Sequence, residues 1–305
     1  MAKLNLVLLY ARVSKTPVIA KNKETGAYSY GMVYVDAVRG LRQVEDGVNY
    51  IRHDHPLIMS MESEILDEIS KWKENDIVLI KGVVTTKTIM KTSFCPECTD
   101  ENGNASKNQT RGSLVYVTPI KVNKIASYGD DKKAAIEDIV NNREISNQIF
   151  VYGTLIREPK IFTTKKKLQI TQYPIAINRK FTIRADDPNF RTDWPFVKSY
   201  GEHAREDKIF LQQGAEIIVD GFMQARTVHR KCKCAHCGKI YEWADHLMEL
   251  VPYDTEYVKG HKSEEQVKAE YQKNIEDIKQ QIFNAGVTED LEEEFKSEDT
   301  MAESN

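Results

Sequence analysis

The sequence predicts a mainly β protein in which one small barrel is written twice, and three observations carry that expectation. Two short cysteine pairs, Cys95-Pro-Glu-Cys98 and Cys234-Ala-His-Cys237, stand 139 residues apart. The same offset runs without a gap through the preceding residues, pairing Tyr34 with Tyr173, Ala37 with Ala176, Arg52 with Arg191 and Asp54 with Asp193. It continues through Pro56 and Pro195, Ser60 and Ser199, Gly82 and Gly221, and Thr88 and Thr227. These identities fall where side-chain freedom is least: before a proline, at a strand-end glycine, at a candidate metal ligand. Both copies also alternate short apolar runs with turn residues, which is the rhythm of strands.

In the first copy, Leu4 to Val13 is an apolar strand ending at a turn marked by Pro17. Tyr28, Tyr30, Met32 and Tyr34 alternate along residues 28–38, after the turn residue Gly26. A loop centred on Asp46-Gly47 precedes the strand Pro56 to Met61. Glu62 to Trp72 then puts Ile65, Leu66, Ile69 and Trp72 on one helical face. Ile77 to Ile80 is a further strand, and Gly82 marks a bend or a close backbone approach. Val83 to Met90 runs into the first cysteine knuckle, and the polar stretch Asp100 to Gly112 leads to a return strand, Leu114 to Val122. The second copy repeats the order: Ile149–Leu155, Leu168–Ile177, Pro195–Tyr200, a short helix near Glu202–Phe210, Ile217–Met223, the knuckle, and a return from Tyr241 to Leu250.

Five strands with a helix between the third and fourth is the order of an OB-fold Greek-key barrel. The expected architecture is therefore two tandem OB-folds with zinc-knuckle-like insertions between their fourth and fifth strands. Residues 1–128 form the first and 147–258 the second. Residues 129–146 read as a helical linker, through the spacing of Ala134, Ala135, Ile136, Ile139 and Val140. Residues 259–286 carry an amphipathic helix from Ser263 to Phe283, stopped at Asn284-Ala-Gly286. Residues 287–305 are acidic, poor in aromatics and expected to be disordered.

A chain of 305 residues accommodates two such domains and their appendages. Its net charge of −3 hides an asymmetry. Residues 1–261 hold 38 Lys and Arg against 33 Asp and Glu, a net of +5, whereas residues 262–305 hold 5 against 13, a net of −8. The body can face a polyanion, and the tail resembles one, although a merely solubilising tail has the same composition. No apolar run approaches the ~20 residues that span a bilayer, and no leader pattern is present. A cytoplasmic protein without membrane contact is expected.

All five cysteines sit in the two clusters, which in a reducing cytosol favours metal over disulfides. Zn²⁺ takes four ligands in a tetrahedron, usually from two Cys-x-x-Cys knuckles. Three readings compete. Cys95, Cys98, Cys234 and Cys237 meet and share one structural Zn²⁺. Alternatively, the second copy builds its own site from Cys232, Cys234 and Cys237 with His229, His236 or His246. In the third, the knuckles are degenerate and bind nothing. Four thiolates leave no open position for catalysis, and no Walker loop, dinucleotide glycine turn or His-Glu-x-x-His helix occurs, so an enzyme is not expected. Asp186-Asp187 before Pro188 reads as a turn, and Asp54 and Asp193, just upstream of prolines, read as setting a strand entry.

Further residues bring in a resemblance. Phe150-Val-Tyr-Gly-Thr-Leu-Ile-Arg-Glu-Pro159, Thr192-Asp-Trp-Pro-Phe-Val-Lys-Ser-Tyr-Gly201, the helix starting at Ala204, Leu211-Gln-Gln-Gly214 and Ile217-Ile-Val-Asp-Gly221 occur in that order. Together they resemble bacterial-type single-stranded DNA-binding proteins over most of residues 149–253. The resemblance implies a protein that coats single-stranded DNA with little sequence preference during replication, recombination or repair. Its acidic tail would be the arm for replication or recombination proteins, and two chains would pair as a homodimer. The alternative is an OB-fold and zinc-ribbon scaffold for protein contacts in a replication or transcription complex, with RNA as a less favoured ligand.

Unpaired bases stack on aromatic rings while Lys and Arg neutralise phosphates. Strand alternation puts Trp194, Phe196, Lys198 and Tyr200 on one face. Phe196 and Tyr200 are also candidates for the barrel interior. The basic candidates are Arg179, Arg191 and Arg226, ahead of Lys165–Lys167, Lys180, Arg184, Arg230, Lys231 and Lys233. In the first copy they are Arg52 and Lys87, with Arg39 and Arg42, and Tyr34 and Tyr50 are possible stackers. That copy has His55 where the second has Trp194 and Met61 where it has Tyr200. The two copies are therefore not expected to share DNA equally.

Overall fold

Val7, Leu9, Ala11 and Val13 are fully buried at every second position of β1 (Asn5–Val13), so one face of this strand builds core. The structure, a computed structural model, describes residues 3–39, 51–99, 105–180 and 191–284. After β1 come β2 (Val18–Lys21), β3 (Tyr28–Arg39), β4 (Arg52–Asp54), β5 (Leu57–Ser60), α1 (Ser63–Ile69), β6 (Asp76–Thr99) and β7 (Ala105–Ser127). The linker helix α2 (Lys132–Asn141) leads to β8 (Gln148–Leu155), β9 (Lys160–Thr163), β10 (Gln169–Asn178), β11 (Thr192–Asp193), β12 (Phe196–Tyr200), α3 (Gly201–Phe210), β13 (Glu216–Lys233) and β14 (Ile240–Lys259).

Two five-stranded barrels result. The first closes in the order β1, β3, β5, β7, β6 and back to β1. The second closes through β8, β10, β12, β14, β13 and back to β8. Each contains one parallel pair, at Ile58–Val117 and at Val197–Leu250, as an OB-fold requires. Antiparallel pairing of β1 with β8, from Asn5–Val151 to Leu8–Gln148, makes the barrels one continuous sheet within the unit Met1–Gly260.

The strand registers refine the repeat. Val7 faces Gly82 as Ile149 faces Gly221, so the first strands are offset by 142 residues, whereas the glycines keep 139. Val33 faces Ile58 as Tyr173 faces Val197, an offset of 140. The matches of Tyr34 with Tyr173 and Ala37 with Ala176 are thus one residue out of register, and a one-residue slip moves a side chain to the other sheet face. Tyr34 is accordingly 47% exposed, while Tyr173 is fully buried with its hydroxyl on Asp207. The gap-free repeat expected from the sequence therefore holds from Arg52 to the cysteine pairs and is broken upstream.

Gly82 and Gly221 sit opposite Pro119 and Pro252, next to register shifts in their ladders. A Cβ on Gly221 would lie 2.1 Å from the Val251 carbonyl oxygen, and one on Gly82 would lie 2.6 Å from that of Thr118. Both contacts are to backbone, which cannot rotate away. Gly221→Ala is expected to cost about 1–3 kcal/mol, as overpacking does. A lowered urea midpoint at unchanged slope would show it, and an unchanged midpoint would count against so tight an approach.

Short strands that were not foreseen include β2 and β9, added to the edges of β3 and β10, and β4, which pairs with the end of β3. The larger departure lies in the hairpins. The strand expected to stop at Met90 continues to Thr99, and its partner starts at Ala105 inside the supposed polar loop. Beyond the barrel wall the buried face of these ribbons is built from Ser93, Cys95, Ser106 and Asn108, so they lack the apolar alternation that marks a strand.

In α2, Asp131 caps the Ala134 N–H, and Ala135 and Ile139 pack on Val38 and Ile77. From His261 onward the chain forms a separate unit containing α4 (Glu264–Asn284), with an i,i+4 pair between Glu264 and Lys268. No helix among the described residues is long and apolar enough to cross a membrane. The loop at Asp46-Gly47, Arg42, Tyr50, Arg184, Asp186-Asp187 and the acidic segment 287–305 lie outside the described residues.

Candidate nucleic-acid interface

β12 and the residues leading into it divide as alternation requires. Val197 and Ser199 face the core, while Trp194 is 43% and Phe196 39% exposed. Tyr200 is half-buried, with its hydroxyl donating to Gln224 Oε1 at 3.2 Å, and burial pushes its phenol upward. Phe196 is thus an outward residue and not part of the barrel interior.

Two cations expected on this face turn out to be internal. Lys198 is 5% exposed, 3.5 Å from Glu249, and burial lowers its ammonium pKa against that carboxylate's pull. The parallel pairing of β12 with β14 places Glu249 beside it, a neighbour no local sequence window contains. Arg179 is 4% exposed and lies 2.7 Å from Asp193. The two side chains form a buried ion pair through Arg179 Nε and Asp193 Oδ2. Of the remaining basic candidates, Arg191, Arg52 and Lys87 are exposed. Arg226 is half-buried, holding Glu249 through two bonds of 2.7 and 3.1 Å. Lys165–Lys167 form the tip of the β9–β10 hairpin, with β10 between β9 and β12.

Asp54 and Asp193 do more than set a strand entry. Asp193 accepts from the Thr86 N–H at 2.7 Å, and Asp54 accepts from the Ala225 N–H at 2.9 Å. Thr86 and Ala225 are themselves related by the 139-residue offset. Each copy therefore reaches across and caps the other's fourth barrel strand at the same point. Both carboxylates are buried and each is paired with an arginine, Arg39 for Asp54 at 3.0 Å and Arg179 for Asp193. Trp194 strengthens the crossing by donating its N–H to Thr86 Oγ1 at 3.0 Å. As a result Lys87 of the first copy adjoins the Trp194 segment, and Arg52 adjoins the Arg226 strand of the second. Residues assigned separately to two domains become two mixed clusters.

Beyond the barrels the hairpins β6–β7 and β13–β14 converge. Cys95 Sγ lies 3.8 Å from Cys237 Sγ, Cys98 Sγ lies 3.5 Å from Cys234 Sγ, and all four sulfurs fall within 4.8 Å of one another. Among the described residues this is the group whose donors converge as a metal requires; Cys232 and the histidines His229, His236 and His246 stand outside it. Gly238, at φ +74°, lets the second knuckle turn so that its N–H reaches the Cys234 carbonyl at 3.0 Å. The knuckles are braced across copies. Asn108 accepts from the Ala235 N–H at 3.0 Å, Ser93 and Tyr241 share a 2.7 Å bond, and Lys239 pairs with Glu97.

The thiols divide charge unequally. The Cys237 N–H first, then the His236 N–H and the Asn108 and Ser106 side chains, hold Cys234 down to about 5 against burial. Burial and the neighbouring sulfurs push Cys98 up to about 12. Four sulfurs this close together, one of them held as a thiolate, form a donor set suited to a cation. The cluster could hold a metal ion, with two ligands from each copy.

The comparisons fall on the same part of the chain. Residues 146–235 match the Single-strand binding protein family. The chain resembles bacterial-type single-stranded DNA-binding proteins. Over 80 residues it is 29% identical to the single-stranded DNA-binding protein of Thermotoga maritima, a match covering 26% of this chain and 57% of that protein. Among solved structures, a deletion mutant of the single-stranded DNA-binding protein from Thermus aquaticus superposes with a TM-score of 0.53 at 14% identity, covering 87% of this chain and all of that one. The wild-type protein from the same organism gives 0.50 at 13% identity, covering 86% and 97%. At such identities the structural likeness establishes the tandem OB-fold architecture. The family match places Trp194, Phe196 and Tyr200 inside its bounds.

The sequence reading missed three residues that line the space between the hairpins: Lys91, Arg111 and Trp243. Only the hairpin lengths and their convergence bring them near β12. A tryptophan set between carboxylates, in Glu242-Trp243-Ala244-Asp245, was the available signal.

Proposed function

We propose that this protein binds and coats single-stranded DNA with little sequence preference and without catalysis, in replication, recombination or repair. The observation that carries this reading is the outward pair Trp194 and Phe196, just before and at the start of β12 in the barrel that matches the family. Exposed rings stack on any base, and about 1–3 kcal/mol per base is the usual contribution. Arg191 with Lys87, and Arg226 with Arg52, supply cations on either side for phosphates. We also assign a structural Zn²⁺ to Cys95, Cys98, Cys234 and Cys237. Zn–S bonds of about 2.3 Å in a tetrahedron put sulfurs roughly 3.8 Å apart, close to the spacing of this quartet. The ion would join the two hairpin tips and take no part in chemistry.

Titration with poly-dT at two salt concentrations tests the DNA reading. Trp72 is 2% exposed, so quenching reports the other tryptophans, Trp194 and Trp243. Affinity should fall steeply with salt as counterions are released. Trp194→Ala should weaken binding by about 1–3 kcal/mol, roughly 5- to 150-fold. An unchanged affinity in that variant would remove β12 as the platform. Equal competition by oligo-U would extend the ligand to RNA.

A further inference from the structure

A cavity of about 410 Å³ lies between the two long hairpins, within the size range of small-molecule pockets, ~300–1,000 Å³. Phe196 lines it from β12, so it is continuous with the Trp194 face, and half-buried Trp243 of β14 supplies a second aromatic surface. Its cations come from both copies: Lys91 and Arg111 from the first, Arg230 and Lys231 from the second. Two carboxylates also line it, and both are matched. Asp245 is held by Lys91 and Arg230, and Glu249 by Lys198 and Arg226. The exposed side chains of Arg111 and Lys231 add positive charge beyond those pairs.

Aromatic surface, surplus guanidinium and ammonium groups, and continuity with an outward aromatic strand together fit one ligand chemistry. We propose that this cavity is a second nucleotide subsite, where a base of single-stranded nucleic acid stacks on Trp243 and its phosphates contact Arg111 and Lys231. The inference rests on the single-strand reading above and extends it: a strand leaving Trp194 and Phe196 continues between the hairpins onto residues of the first copy. That copy, which lacks the β12 aromatics, would take part through Arg111 and Lys91. An apolar peptide in the same place would set uncompensated cations against hydrocarbon, whereas a polyanion with flat π faces uses both kinds of wall.

The test measures anisotropy of fluorescein-labelled oligo-dT of two lengths, about 8 and about 30 nucleotides, on the full chain. Arg111→Gln should lower the salt slope for the longer strand by about 1. Trp243→Ala should weaken the longer strand at least about fivefold, while Trp243→Phe keeps most of the affinity. The shorter strand, which fits on the Trp194 face alone, should bind all three variants nearly as well as the parent. If Trp243→Ala does not fold, exposed Arg111→Gln decides the matter by itself. Variants that match the parent on the long strand, with Trp194→Ala still defective, would overturn the subsite. A parent protein that binds neither length would instead overturn the single-strand reading.

Discussion

Replacing Asp193 with alanine is expected to destabilise the protein by about 3–5 kcal/mol, because it removes the Asp193 carboxylate from a buried guanidinium. The pair itself contributes little. Burial pushes the Asp193 carboxyl above its ordinary range, with the Thr86 N–H and Arg179 opposing. The ionised pair thus stands near break-even, while a guanidinium at 4% exposure that has lost this carboxylate does not. The same substitution strips the Thr86 N–H of its acceptor on the other barrel. Asp193→Asn should recover the Thr86 contact and little else. The double variant Asp193→Ala with Arg179→Met should recover most of the stability, since an apolar replacement of a whole buried pair is often neutral. Urea unfolding of the four proteins measures this, and a loss under about 1 kcal/mol in Asp193→Ala would argue against a buried ion pair there. Asp54→Ala should behave alike through Arg39 and Ala225, because the latch is reciprocal.

Metal removal should have a comparable effect. If Zn²⁺ sits in the quartet at about 1,000 times its dissociation constant, it stabilises the fold by about 4 kcal/mol. At roughly 2–4 °C per kcal/mol for domains of this size, a strong chelator should lower Tm by on the order of 10 °C. Metal analysis should find one zinc per chain, lost equally in Cys98→Ser and in Cys237→Ser, because each copy supplies half the ligands. Zinc retained in Cys98→Ser, and lost only when Cys232 or a neighbouring histidine is changed, would transfer the site to the second copy alone. An absence of zinc from protein purified without chelator would leave the thiols as a packed cluster held by Asn108, Tyr241 and the Glu97–Lys239 pair.

Much of this was legible in order of residues. Alternation along Trp194–Tyr200 separated outward rings from core residues, and the structure keeps that division for Trp194, Phe196, Val197 and Ser199. Alternation says which face a residue occupies, yet not what lies across from it. Lys198 shares the outward face and is still buried, because β14 arrives parallel to β12 with Glu249. Arg179 is buried against Asp193 for the same kind of reason. Tyr34 shows a different limit: an ungapped alignment paired it with Tyr173, whereas the strand registers match Val33 to Tyr173 and leave the two tyrosines on opposite faces.

The cysteine spacing, the paired glycines and the strand order followed from the sequence alone, since each depends on local backbone geometry repeated twice. That repetition was enough to predict two OB-folds with a knuckle in each. Whether the knuckles meet was a question of where two hairpins point after leaving separate barrels. The β1–β8 ladder and the reciprocal Asp54 and Asp193 contacts orient those barrels, and the hairpin tips converge as a consequence. These are contacts between residues more than a hundred positions apart, so the half-sites were written in the chain and their union arises only in the folded pair.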